Sequence, residues 1–188
     1  MAREIEIKLR VTSHDPVRRR LRELGATLGW RGVETNRIYD RFDGGLRKAG
    51  VGLRVRSVVS EDEIRLPVTM TVKGPRAPGV VKSREEFETE VISADTVAGM
   101  LRLLGFVRVL RYEKRREHWV LGKCAVELDE PPHIGLFVEI EGPDEETIRA
   151  CQADIGLRGA AEVAESYVRL MMTYCRVHGN DDHDVRLP

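Results

Sequence analysis

Cysteine, aromatic residues, net charge and long apolar runs are all in short supply in this chain, and each shortage removes a class of protein. The three cysteines, Cys124, Cys151 and Cys175, are odd in number, scattered, and form no CxxC pair. That excludes a disulfide framework and a cysteine zinc site, and it fits a reducing compartment. None of the five histidines falls in an HExxH arrangement. No apolar stretch approaches the length that crosses a bilayer, and Glu4, Glu6 and Lys8 interrupt the place where a signal-peptide core would lie. A cytoplasmic location without a membrane partner is therefore expected. Lys plus Arg (31) balances Asp plus Glu (31), so the basic excess of a duplex nucleic-acid binder is missing.

What is plentiful is charge itself, at 33% of residues against 5% aromatic. At 188 residues the chain suits one domain with a proper core, expected over residues 1–177. From His178 onward almost no apolar residue occurs, and 178–188 is expected to be a disordered tail.

The opening stretch EIEIKLR alternates strictly, with Glu4, Glu6 and Lys8 on one side and Ile5, Ile7 and Leu9 on the other. A strand sends successive side chains to opposite faces, so this one is apolar on one face and charged on the other. SHDPVRRRLRELGA then reads as a helix capped by Ser13 or Asp15, with Pro16 in its first turn and Gly25 as its stop. TNRIYDRF is expected as a second strand, DGGLRKAG as a turn-rich connector, VGLRVRSVV as a third strand and IRLPVTMTVKG as a fourth. The EDE stretch at 61–63 reads as a loop tip and PRAPGVVK as a mobile loop. SREEFETEVI is a fifth strand and SADTVAGMLRLLGF a capped helix. RVLRYEKRREHWVL, CAVELDEP and GLFVEIEG give three more strands, the first two joined by a tight turn at Gly122 and Lys123. PDEETIRACQADIG and ESYVRLMMTYC close the pattern as helices. Eight closely spaced strands with helices between them predict an α+β protein built on an antiparallel sheet.

Charge on one face of a single strand is ordinarily a solvated surface. Here seven strands do the same thing, and the signs segregate. Arg54 and Arg56 share a face, as do Lys114, Arg116 and His118; Lys73 follows Thr69 and Thr71. Glu86, Glu88 and Glu90 follow Arg84 on the fifth strand, Glu127 and Asp129 share the seventh, and Glu139 and Glu141 the eighth. Two architectures satisfy that parity: an open sheet with one wet face, or a barrel with a charge-lined interior. In the barrel the charges need one another, water, metal ions or a highly charged ligand. Arg and Lys match phosphate oxygens, and clustered carboxylates hold hard divalent cations that bridge to phosphates. The residue types therefore point to a metal-dependent polyphosphate site.

These segments resemble the CYTH superfamily of triphosphate tunnel metalloenzymes, which includes class IV adenylyl cyclases, thiamine triphosphatases and inorganic triphosphatases. EIEIK is similar to its ExExK signature, and LRKAGVGLRVR to its paired-arginine strand. TVKGP is similar to its lysine strand, SREEFE to its glutamate strand and YEKRREHW to its Lys-x-Arg strand. VELDEPPHIGLFVEIEG resembles its Asp-bearing strand, glycine turn and closing ExE strand, and ESYVRLM a Ser-Tyr segment of the cyclase-like branch. The resemblance implies an eight-stranded antiparallel β-barrel, the triphosphate tunnel, with flanking helices and bound Mg²⁺ or Mn²⁺. It implies Glu4, Glu6, Asp129, Glu139 and Glu141 as metal ligands, with Glu6, Lys8 and Glu139 catalytic. It implies Lys8, Arg54, Arg56, Lys73, Lys114 and Arg116 as phosphate ligands. Class IV cyclases carry a His-Phe pair ahead of the first strand, whereas MAR precedes Glu4 here, so hydrolysis of an inorganic, thiamine or nucleoside triphosphate is expected ahead of cyclisation of ATP. The remaining alternative is a non-catalytic polyphosphate or nucleotide binder, as a monomer or a homodimer.

Other residues receive plainer readings. His118 could carry a proton, although a bystander role is commoner. Tyr39 is expected to pack. Trp30 and Trp119 are read as core or rim in preference to a nucleobase platform, His133 as part of a turn, and Arg18 to Arg20 as a solvated helix face. Position 36 is Asn where the family's second strand often has an acid.

Overall fold

A computed structural model describes the backbone of residues 3–61, 66–75 and 82–188, and side chains from residue 5 to 61, 66 to 75 and 84 to 188. The mobile loop expected around PRAPGVVK and most of the loop tip at 61–63 lie outside the described residues. The elements run β1 Arg3–Val11, α1 Asp15–Glu23, β2 Thr27–Arg41, α2 Gly45–Lys48, β3 Gly52–Ser60, β4 Val68–Lys73 and β5 Lys82–Val91. They continue with α3 Ala94–Leu103, β6 Phe106–Leu121, β7 Cys124–Glu130, β8 Leu136–Glu141, α4 Glu145–Asp154, α5 Tyr167–His178 and β9 Asp184–Val185.

Eight strands are hydrogen-bonded in the order β2-β3-β4-β5-β1-β8-β7-β6, and β6 pairs back to β2. Every one of these pairings is antiparallel. The sheet therefore closes on itself, and of the two architectures compatible with the sequence the barrel is the one formed. Closure removes free edges and gives the strands a distinct inside. The seam is the longest pairing, from Thr27 opposite Val120 to Arg41 opposite Phe106. It explains why β2 begins eight residues earlier than TNRIYDRF suggested: the long β6 supplies a partner for each turn of pleat. Gly32 makes the crossing possible, since a Cβ there would sit 2.2 Å from the Val59 carbonyl oxygen.

The outward faces carry the apolar residues, as the alternation predicts. Ile7, Leu9, Val126, Val138 and Ile140 pack under α1 and α4 through Val17, Leu21, Ile148 and Ile155. Tyr39, Leu53 and Val55 pack under α3 through Val97 and Leu101. Neither Ser13 nor Asp15 is the N-cap of α1; that position is His14, and Ser13 Oγ accepts from the Asp15 amide at 3.1 Å. Ser93, Asp144 and Ser166 do cap α3, α4 and α5 through their side chains.

The third cluster is inside. Ile38, Leu110, Tyr112 and Phe137 have inward parity, and Tyr167, Met171 and Cys175 of α5 meet them. Those three residues recur at i, i+4 and i+8, one stripe of a helix. Helix α5 thus lies against one end of the barrel interior.

Residues 178–188, expected as a disordered tail, include the short strand β9. Strand β7 leaves the edge of β6 at the Arg115–Glu130 pair, and the tail occupies the edge beyond it: β9 pairs in parallel with Arg111 and Tyr112. Val185 is buried in the α5 cluster, and the Leu187 amide donates to Glu113 Oε2 at 3.2 Å. Backbone pairing, burial of Val185 and the Arg111–Asp184 ion pair at 3.5 Å together hold a segment whose composition reads as coil. No helix among the described residues is long and apolar enough to cross a membrane.

Candidate active site

The inward faces of the barrel enclose a cavity of about 1950 Å³. Its lining includes Glu6, Lys8, Arg54, Arg56, Lys73, Lys114, Arg116, Glu139 and Glu141, together with Arg84, Glu86, Glu88 and His118. Strand parity alone carried these residues to one place. The side chain of Glu4 lies outside the described residues; its backbone pairs with Arg84 on β5.

At the centre two cations are held by two fully buried carboxylates. Lys114 Nζ lies 2.9 Å from Asp129 Oδ2 and 3.3 Å from Glu34 Oε1. Arg116 donates to Asp129 Oδ1 from Nε and to Oδ2 from Nη2, both at 2.6 Å, and Nη2 also reaches Glu139 Oε2 at 2.8 Å. The Tyr167 hydroxyl donates to Asp129 Oδ2 at 2.8 Å, so this carboxylate receives four hydrogen bonds. Glu34 completes the set, with Arg56 Nη1 and Arg116 Nη1 each 3.6 Å from its Oε2 and Asn36 Nδ2 donating to its Oε1 at 2.9 Å. Burial alone would raise the Glu34 carboxyl, but the charges of Lys114, Arg116, Arg56 and Arg54 overcome it and hold it well below the usual carboxylate range. Burial likewise works against the Arg116 guanidinium, and Asp129, Glu127 and Glu34 more than offset it, leaving its pKa well above the ordinary value. Both charges persist in a nearly dry wall because each is paired.

Around this core the remaining cations are placed by lighter contacts. Lys8 Nζ lies 3.3 Å from Glu139 Oε1, donates to the Glu165 carbonyl at 3.1 Å and sits 3.7 Å from the centre of the Tyr167 ring. The ring face favours the cation and supplies no counter-charge that a ligand would have to displace. Arg54 and Arg56 reach Glu88 at 3.6 and 3.3 Å, and Lys73 pairs with Glu86 at 2.7 Å. Burial opposes ionisation of Glu88, yet the Thr71 hydroxyl, which donates to it at 2.7 Å, and the two arginines lower its pKa. The phenols of Tyr112 and Tyr167 are pushed up by burial and by the carboxylates beside them, so both remain protonated.

The acids divide into two groups. Glu6 faces Glu141 and Lys8 faces Glu139 across the β1–β8 ladder, which places three carboxylates on one wall of the cavity. Like charges directly opposite in a ladder repel, an arrangement that a cation between them relieves. Asp129, expected with them as a metal ligand, is instead behind the wall at 0% exposure with its oxygens committed to Lys114, Arg116 and Tyr167. Among the described residues no three acidic, His or Cys side chains converge tightly enough to enclose an ion by themselves. His118, on the basic face, pairs through Nδ1 with Glu127 Oε1 at 2.8 Å.

Glu34, Tyr112 and Tyr167 were missed in the sequence. Glu34 lies two residues before Asn36 and shares its face only because β2 extends back to Thr27. Tyr167 belongs to the ESYVRLM segment, but its contact with Asp129 depends on where α5 docks.

Comparison with known proteins agrees with this geometry. The family model of the CYTH domain matches residues 2–155. A Methanocaldococcus jannaschii protein named "Putative adenylate cyclase MJ0240" is 27% identical over 138 residues, covering 73% of this chain and 75% of that protein. The structure of protein PH1819 from Pyrococcus horikoshii superposes with a TM-score of 0.76 at 25% identity, covering 91% of this chain and 99% of the other. HpAC1 from Hippeastrum, described as having a dominant triphosphatase activity, shares the fold with a TM-score of 0.67 at 18% identity, over 91% of this chain and 96% of its own. The barrel, the cation set and the family match lead to one statement: this chain belongs to the CYTH domain family.

Proposed function

We propose that the chain is a divalent-metal-dependent triphosphatase that hydrolyses a triphosphate held in the barrel cavity. The observation that carries this reading is the set of cations converging on the cavity, two of them fixed by the buried pair Glu34 and Asp129. Fixed charges aimed at a ligand cost no reorganisation during reaction, which is how a site that performs phosphoryl transfer gains most of its rate. Lys8, Arg54, Arg56, Lys73, Lys114 and Arg116 would share the phosphate oxygens, with Arg116 the most rigidly held.

The donor chemistry of the β1–β8 wall fits a hard cation. Glu6, Glu139 and Glu141 offer only carboxylate oxygens, and Mg²⁺ typically takes one or two carboxylates plus substrate phosphates and water. When bound, Mg²⁺ or Mn²⁺ would polarise the phosphate oxygens and the attacking water. Asp129 is assigned a positioning role: it orients Lys114 and Arg116. As water adds to phosphorus and the bond to the leaving phosphate oxygen breaks, the cations take up the negative charge gathering on that oxygen.

A second reading, cyclisation of ATP with release of pyrophosphate, is favoured by the name of the Methanocaldococcus relative. Product analysis separates the two. The purified protein is incubated with Mg²⁺ or Mn²⁺ and inorganic, thiamine or adenosine triphosphate. Orthophosphate release is expected; cyclic AMP with pyrophosphate would transfer the assignment to the cyclase, and tight binding without turnover would leave a binding module.

A further inference from the structure

The cavity carries an aromatic wall that the phosphate-binding scheme does not use. Trp30 on β2 and His118 on β6 are cross-strand partners, both half-buried and both lining the cavity. Their rings stack with centroids 5.9 Å apart and planes inclined by 14°. The imidazole is fixed from two further sides. Nδ1 is 2.8 Å from Glu127 Oε1, and a Cβ on Gly29 would lie 2.8 Å from His118 Cδ2, so glycine there leaves the ring room against β2. The β2–β6 register shifts between Leu28 and Trp30, and such an irregularity re-aims the side chain beside it. Phe42 and Phe87 also line the cavity, but at 94% and 57% exposure neither has a ring stack among the described residues. Among the described cavity-lining Trp and Phe rings, Trp30 is the one with a ring stack.

We propose that Trp30, His118 and Glu127 form a subsite for the base of a nucleoside triphosphate, a proposal that rests on the triphosphate reading above. Two features select this ligand class. A stacked, immobilised indole offers a π-surface to a planar heterocycle without having to be ordered first. Glu127 Oε2 is buried without a hydrogen-bond donor among the described residues and is only 3.6 Å from Arg116 Nε, so it offers an acceptor for a base N–H. The location also suits. His118 follows Arg116 by two residues on the same inward face, about 7 Å along the strand. A triphosphate gripped at Arg116 therefore leaves its attached group beside His118 and Trp30. Inorganic triphosphate has nothing to place there.

The experiment compares kcat/KM for ATP and for inorganic triphosphate in the wild type, Trp30→Ala and Trp30→Phe. Base stacking on an aromatic side chain makes the ATP-to-triphosphate ratio fall about tenfold or more in Trp30→Ala, with Trp30→Phe recovering most of it. A ratio within twofold of wild type in Trp30→Ala overturns the proposal. Binding gives an independent readout that needs no turnover: ATP quenches intrinsic tryptophan emission in the wild type, inorganic triphosphate does not, and Trp30→Phe abolishes the quench. If both ligands change the emission alike, or neither does, the subsite is wrong. Quenching by ATP without phosphate release from any triphosphate would retain the subsite and sink the hydrolase reading.

Discussion

Asp129→Asn distinguishes a carboxylate that orients cations from one that binds metal. The side chain is fully buried and accepts from Lys114, twice from Arg116, and from Tyr167. Asparagine fills the same volume but removes the charge and turns one acceptor into a donor that faces cations. Lys114 then keeps Glu34, and Arg116 keeps Glu34 and Glu139, so compensation is partial. Breaking a buried ion pair by neutralising one partner costs about 3–5 kcal/mol. For a chain of this size that lowers Tm by roughly 6–20 °C. Differential scanning calorimetry without ligand measures the loss. Saturating inorganic triphosphate should narrow the gap, because the ligand returns negative charge to the same two cations. Activity should fall and should not recover as Mg²⁺ is raised. Retention of wild-type Tm together with rescue of turnover by added Mg²⁺ would refute the orienting role and return Asp129 to the metal site.

Three further outcomes are expected. Because Glu34 has a depressed folded pKa, its stabilising contribution is complete above the ordinary carboxylate range and is lost as pH falls through the lower folded value. Urea unfolding from neutral into acid should show a steep loss for the wild type and a flatter, lower curve for Glu34→Gln; parallel curves would refute the assignment. Burial raises all three cysteine thiols, Cys151 to about 12 with Cys124 beside it, so native protein should resist a thiol-reactive disulfide that titrates three cysteines after denaturation. Val185→Ala removes apolar contact from the α5 cluster and should cost about 1–2 kcal/mol in denaturant unfolding. An unchanged midpoint on truncating the chain after Asn180 would mean the β9 pairing contributes nothing.

What could be read in the sequence, and what could not, divides along one physical line. Strand parity is a local property: Glu6 and Lys8, or Arg54 and Arg56, share a face because they are two residues apart, whatever the rest of the chain does. The membership of the charged wall was therefore legible strand by strand, and so was the outward apolar face of Leu9, Val55 and Val126. Pairing between strands is not local. Which acid meets Arg116 depends on the stagger of a closed barrel, and that stagger brings Glu34 from β2 and Asp129 from β7 to the same guanidinium. A list of acids and bases by strand cannot distinguish a carboxylate buried against cations, as Asp129 is, from one that lines the cavity, as Glu139 does. The same limit governs Trp30. Seen along β2 it is an isolated aromatic, whereas across the seam it lies on an imidazole that Glu127 holds from the other side. Local alternation could show that a polyphosphate would be gripped, but what else the cavity holds is decided across strands, where Trp30, His118 and Glu127 meet.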